Sequence, residues 1–178
     1  MQKRLVTLAL AMVLTPTLAM AQKVSYDYDK TATFTGKTYA LKDGTKVGQQ
    51  LIDDRIVAAI DTELAAKGLT KTESNPDMFV VYHVAFDKQK DITAYNTGGY
   101  GGYGYRWGGG WGTTDVRVNE ILIGTLVIDV ADTTKQEMVW RGMGVKEVDT
   151  QAKPEKRDKS ISSAVQKILK NYPPKKKT

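Results

Sequence analysis

Residues 113–148 read TTDVRVNEILIGTLVIDVADTTKQEMVWRGMGVKEV, and the fold turns on this stretch. Its first half, TTDVRVNEILIGTLVIDV, is dense in β-branched residues and predicts one long strand, with Gly124 as a candidate bend or bulge. ADTTKQ is a polar turn. EMVWRGMGVKEV then returns as a hairpin partner. Strict alternation would place Met138 and Trp140 on one face and Val139 and Arg141 on the other. Two long strands joined by so short a turn are antiparallel neighbours.

Upstream, DMFVVYHVAFDKQ predicts another strand. Val80, Tyr82, Val84 and Phe86 fall on one face, and Phe79, Val81, His83 and Ala85 on the other. Both sets are apolar, so the expectation is a central strand covered on both sides. VSYDYD (Val24–Asp29) and TFTGKTYAL (Thr33–Leu41) predict two shorter strands, with KDGTKVG as a turn after them. In QLIDDRIVAAIDTELAAKGL, Ile52, Ile56, Ile60 and Leu64 recur every fourth residue, which predicts a helix ending at Gly68. Asn75-Pro76-Asp77 is a turn signal. Near the C-terminus Ile161, Ala164, Val165, Ile168, Leu169 and Tyr172 mark a second amphipathic helix, stopped by Pro173-Pro174.

The predicted order is β-β-α-β-β-β-α. Strands outnumber helices, which argues a single two-layer α+β domain: a largely antiparallel sheet with two helices packed on one face. The expected core is Ile52, Ile56, Ile60, Leu64, Val80, Val84, Leu126, Ile128, Trp140, Val165, Ile168 and Leu169.

The N-terminus has the form of a secretory signal peptide over residues 1–21. Lys3 and Arg4 precede an apolar run from Leu5 to Leu14, and Ala19-Met20-Ala21 is a small-x-small cleavage site. The run is short for a bilayer span, which takes roughly 20 apolar residues. Cleavage leaves 157 of the 178 residues, enough for one domain with a core, spanning 22–172 and followed by a Lys-rich tail at 173–178. Two basic leader residues leave with it, so the net charge of +6 becomes +4. In an exported, mildly basic chain this points to anionic envelope surfaces rather than nucleic acid. There is no cysteine, which excludes disulfides and lipid attachment at a leader-adjacent Cys. The expected location is periplasmic or secreted.

Between the two longest predicted strands lies GGYGGYGYRWGGGWGTT, Gly98 to Thr114, in which nine glycines are interleaved with five large rings. It contains G-x-G-x-x-G at Gly99, Gly101 and Gly104. A dinucleotide cradle needs a strand before this motif and a helix after it, and here a strand-like segment follows. No cofactor is therefore expected. The segment 98–112 reads as a loop joining two strands. Tyr100, Tyr103, Tyr105, Arg106, Trp107 and Trp111 are its candidate binding residues, because Trp and Tyr stack on sugars, settle at lipid interfaces or dock partners. The bland alternative is a loop whose rings fold back on the sheet.

Catalytic and metal signals are weak. His83 is the only histidine. It sits inside a strand with no G-x-S-x-G elsewhere, so it reads as a core histidine with one hydrogen bond. A His/Cys metal site is excluded. Asp27/Asp29, Asp53/Asp54 and Asp129/Asp132 are carboxylate pairs. They read respectively as the polar side of an edge strand, a solvated helix face and, for Asp132, a turn residue. No catalytic residue is assigned. Lys175 to Lys177 read as a solvated terminus that can touch anionic lipid or polysaccharide.

VSYDYD, GKTYAL, DDRIVAAIDTELAAKGL, NPDMFVVYH, the Gly/Tyr/Trp run, GTLVIDVADTTKQEMVWRG and ISSAVQKILKNYPP occur in this order. Together they resemble the bacterial exported family catalogued as domain of unknown function 4136. The resemblance implies a single-domain envelope protein, lipoprotein-like in many members, with no assigned reaction. This chain lacks the lipoprotein Cys. The first functional expectation is a non-catalytic envelope protein binding an envelope surface, glycan or protein partner through the aromatic loop, with peripheral membrane contact possible. The second is a small-molecule or glycan-binding protein with a sheet-face pocket. The third is an uncharacterised hydrolase. Oligomeric state is left open.

Overall fold

The computed structural model describes residues 22–96 and 114–175, with backbone alone at 91–96 and 114–119. The order is β1 (Lys23–Tyr28), β2 (Thr38–Lys42), α1 (Gln50–Ala66), β3 (Thr70–Lys71), β4 (Met78–Asn96), β5 (Thr114–Asp132), β6 (Glu137–Glu147) and α2 (Pro154–Leu169). The predicted order and α+β class hold, with the two-residue β3 added. The strands form one sheet in the order β1-β6-β5-β4-β2-β3. Neighbours along β1-β6-β5-β4 are antiparallel, while β2 lies parallel to both β3 and β4. The parallel pairing follows from α1, which carries the chain back across the sheet between β2 and β4.

Both helices cover one face. Ile56, Ala59, Ile60 and Leu64 of α1 and Val165, Ile168 and Leu169 of α2 are buried with Tyr39, Val80, Tyr82, Ile128, Val130 and Trp140 of the sheet. Ile52, Val84 and Leu126 pack against this core while only partly buried. Gly68 ends α1 with φ +81° and donates its N–H to the Ala65 carbonyl, the left-handed C-terminal geometry that glycine allows at least cost. Asp61 accepts the Tyr39 hydroxyl at 2.7 Å and pairs with Lys71 at 2.8 Å, tying α1 to β2 and β3. Burial and this carboxylate raise the Tyr39 hydroxyl pKa. α2 starts with Pro154 in its first turn, where the missing N–H has no helical acceptor to serve.

Two glycines let α2 sit this close. A Cβ at Gly142 would lie 2.6 Å from Ile168 Cγ2 and 2.3 Å from Trp140 Cη2, and one at Gly144 would lie 2.9 Å from Ile168 Cδ1. The G-M-G spacing therefore leaves the helix-facing side of β6 bare where Ile168 docks.

Three sequence expectations are corrected here. β4 is covered on one side only: Val80 and Tyr82 are buried, but on the other face Phe79, Val81 and His83 are half-exposed and Ala85 is exposed. Among the described residues no helix covers the other sheet face. The irregularity in the long hairpin is not at Gly124 but between Val130 and Ala131, where Val130 pairs with Trp140 and Ala131 with Met138. That bulge leaves Val139 over and breaks alternation, so Val139 and Trp140 are both buried while Met138 is 50% exposed. Asp53 does not stand on a solvated helix face, as described next.

Candidate functional site

β4 and β5 are each 19 residues long, and the last stretch of β4 and the first of β5 leave the rest of the sheet. β2 pairs with β4 only between Met78 and Val81, and β6 follows β5 only to Ile123. Beyond that, β4 and β5 continue as a two-stranded ribbon from Lys88↔Leu122 to Asn96↔Thr114. At the usual ~3.3 Å per residue the ribbon spans roughly 26 Å. Tyr100, Tyr103, Tyr105, Arg106, Trp107 and Trp111 lie outside the described residues. The chain carrying them leaves and re-enters at the terminal pair Asn96↔Thr114.

On the sheet face without helices, one register row crosses five strands: Lys42, Val81, Asp129, Arg141 and Asp27. Arg141 grips Asp129 with a two-pronged fork, Nε to Oδ1 and Nη2 to Oδ2, both at 2.7 Å. Asp129 is buried beneath it, although the face is open, and the fork satisfies the desolvated carboxylate. His83 stands in the next row. Its Nδ1 accepts the Thr45 backbone N–H at 3.1 Å, and its Nε2 is 3.8 Å from Asp129 Oδ2, too long for a hydrogen bond. His83 is thus a half-exposed member of a surface cluster rather than a core histidine. Lys42 Nζ lies 4.5 Å from the centre of the Phe79 ring on the same face.

The carboxylate pairs fall into structural work. Asp53 is buried in α1, where it accepts the Val47 N–H at 2.9 Å and the Tyr82 hydroxyl at 3.0 Å, while Asp54 is exposed. Burial, then this carboxylate, pushes the Tyr82 hydroxyl up to about 12. Asp53 thereby pins the 43–49 loop to β4, and Gly44 makes the approach possible, since a Cβ there would lie 2.0 Å from the Tyr82 carbonyl oxygen. Asp29 accepts the Thr31 N–H and hydroxyl, and Asp132 accepts the Thr134 and Lys135 N–H groups, as turn residues do. Asp27 lies exposed on the edge strand β1. Asp77, legible in the sequence only as part of a turn, accepts the Lys37 and Thr38 N–H groups and the Thr38 hydroxyl. These bonds hold its carboxyl below the usual carboxylate range.

One hollow among the described residues, of about 310 Å³, lies between the helices, lined by Arg55, Ala58, Ala59, Thr62, Glu63, Asp158 and Ser162. An Arg55–Asp158 ion pair links its walls. A second, of about 180 Å³, lies where the Thr33–Gly36 segment meets Asp77, Asp132 and Val139. Neither is lined by the His83, Asp129 and Arg141 cluster. Among the described residues no group of three His, Asp or Glu side chains is placed to hold a metal ion.

Solved structures that share the fold include these two. One is a PDZ domain protein from Parabacteroides distasonis, at TM-score 0.55 and 17% identity, matched over 88% of this chain but 36% of its own. The chain thus spans about a third of that protein. The other is PelC from Paraburkholderia phytofirmans, solved as a dodecamer, at TM-score 0.51 and 10% identity over 84% of this chain and 95% of its own. At these identities the likeness is one of fold. No curated protein is a detectable sequence relative. Residues 24–174 match the family described as "Domain of unknown function (DUF4136)", and the chain belongs to that family.

Proposed function

We propose that this chain is a non-catalytic, exported binding domain of the cell envelope that contacts a partner or an envelope surface through the Gly98–Gly112 segment. The observation that carries the reading is the β4–β5 ribbon. It continues well past the sheet and carries the aromatic segment on its terminal pair, Asn96↔Thr114. A two-stranded ribbon is marginal by itself in water, so extending it without a stabilising role is unfavourable. The rings supply the contact surface, and Arg106 adds a cation suited to anionic envelope groups.

The described carboxylates and His83 favour binding over hydrolysis, since Asp29, Asp53, Asp77, Asp129 and Asp132 are each engaged in structural bonds. A sheet-face pocket finds less support, because the two hollows lie elsewhere. Export follows from the leader, with cleavage after Ala21 and a periplasmic or secreted product. The test is co-sedimentation with envelope fragments, comparing the intact chain with one in which Gly98–Gly112 is replaced by a short turn. Binding should be lost while the melting temperature is kept, because loop-closure cost changes slowly with length. Equal sedimentation of both forms would refute the reading.

A further inference from the structure

β1 ends the sheet on one side, and its outer edge has a defined hydrogen-bonding parity. β1 pairs with β6 from Lys23↔Val145 to Tyr28↔Trp140. One residue further, the Asp29 N–H donates to the Val139 carbonyl at 3.0 Å, the bond of a hydrogen-bonded antiparallel pair. Alternation then turns the backbone groups of Lys23, Ser25 and Asp27 toward β6 and those of Val24, Tyr26 and Tyr28 outward. Tyr28 agrees, because its N–H is taken by the adjacent Asp27 Oδ1 at 2.9 Å rather than by a strand. Among the described residues, no turn, loop or side chain bonds the outward groups of Val24 and Tyr26. Tyr26 is also 47% exposed, although it belongs to the helix-facing side of the sheet.

The sequence of this edge is complementary to itself. With a second β1 laid antiparallel about a two-fold axis at Ser25, Lys23 stands opposite the partner's Asp27, and Asp27 opposite the partner's Lys23. Val24 and Tyr26 face the partner's Tyr26 and the partner's Val24, aromatic against β-branched. These Val24–Tyr26 pairs are the ones that exchange backbone hydrogen bonds, and they use the groups that already point outward. Ladder parity and charge pattern therefore select the same register. We propose that two copies of this chain join through their β1 edges into one continuous sheet.

Edge pairing over so short a strand buries less than the roughly 1,200 Å² of a stable complex, so the dimer is reversible and concentration-dependent. The two-fold reverses strand direction, so the two β4–β5 ribbons project from opposite ends of the joined sheet.

Sedimentation velocity from micromolar to near-millimolar protein tests this. Wild type should pass from monomer to dimer. Lys23→Glu alone or Asp27→Lys alone opposes like charges and should weaken dimerisation about tenfold or more. An equimolar mixture of the two variants should recover it, because each strand then meets opposite charges at both ends. Tyr26→Pro removes an outward N–H at an edge position that tolerates proline, and should abolish the dimer. If that variant loses its fold, the charge mixture alone decides. A wild type that stays monomeric throughout overturns the proposal. So does a dimer indifferent to both charge changes, or a mixture that fails to recover.

Discussion

Gly142→Ala adds one methyl group where the structure has no room for it. The new Cβ would lie 2.3 Å from Trp140 Cη2, 2.6 Å from Ile168 Cγ2 and 3.0 Å from Trp140 Cζ2. Trp140 is 1% exposed and Ile168 is 0% exposed, so neither can swing into solvent to relieve the contact. Relief requires α2 to lift from β6 or the indole to leave its rotamer, and overpacking of this kind costs about 1–3 kcal/mol. Against that, alanine restricts the unfolded chain and returns about 0.4–1 kcal/mol. The clash should win, with a net loss of about 1–2 kcal/mol. Gly144→Ala should lose less, because its nearest contact is the terminal amide of Gln22 at 2.5 Å, which can rotate away, followed by Ile168 Cδ1 at 2.9 Å. Ile168→Val deletes that δ-methyl, so Gly144→Ala should be milder in the Ile168→Val background than in wild type. Urea unfolding with an unchanged m-value is the assay. A Gly142→Ala variant within about 0.5 kcal/mol of wild type would refute the claim that α2 docks on bare β6 backbone.

Asp53→Ala strands the Val47 N–H and the buried Tyr82 hydroxyl, and should cost about 2–3 kcal/mol in denaturant unfolding, with Tyr82→Phe costing about 1 kcal/mol. The double variant should fall short of the sum, and strict additivity would place the two groups out of contact. Asp77 has a folded pKa below its unfolded value, so its contribution to stability is present above about pH 4 and is lost as pH falls through the lower folded value. Asp77→Asn should therefore flatten the acid limb of the stability–pH curve, and an unaltered limb would count against the bonds from Lys37 and Thr38. Ile60→Ala and Leu169→Ala should each cost about 2–5 kcal/mol, and small losses at both would contradict the helix faces described.

Periodicity made the helices and the hairpin readable before any coordinates. Every fourth residue of α1 and the apolar stripe of α2 point into the core because each helix has only one layer to pack against. Gly68 was legible because a left-handed C-terminus selects glycine so strongly. Four features were hidden for physical reasons. The bulge beside Val139 depends on how two strands are threaded opposite one another, and neither strand alone records that. The apolar residues on both sides of β4 suggested cover on both faces, yet Phe79, Val81 and His83 stay half-exposed on a face that no described helix covers. Asp53 looked like a surface residue because its acceptor role is set by the 43–49 loop folding back, a contact with no local signature. His83 was misplaced for the same reason, since its hydrogen-bond partner Thr45 and its neighbour Asp129 come from distant segments. The candidate site was legible as composition, in rings and glycines. The ribbon that carries it became visible only through the register of β4 and β5.

The central claim, that the rings on the Gly98–Gly112 segment are the contact surface, is tested most directly by changing Tyr100, Tyr103, Tyr105, Trp107 and Trp111 together to Ser. Backbone length is then kept while the stacking faces are removed. The variant should melt at the wild-type temperature and no longer co-sediment with envelope fragments. Undiminished co-sedimentation would contradict the claim, and so would unfolding, which would make the rings part of the core.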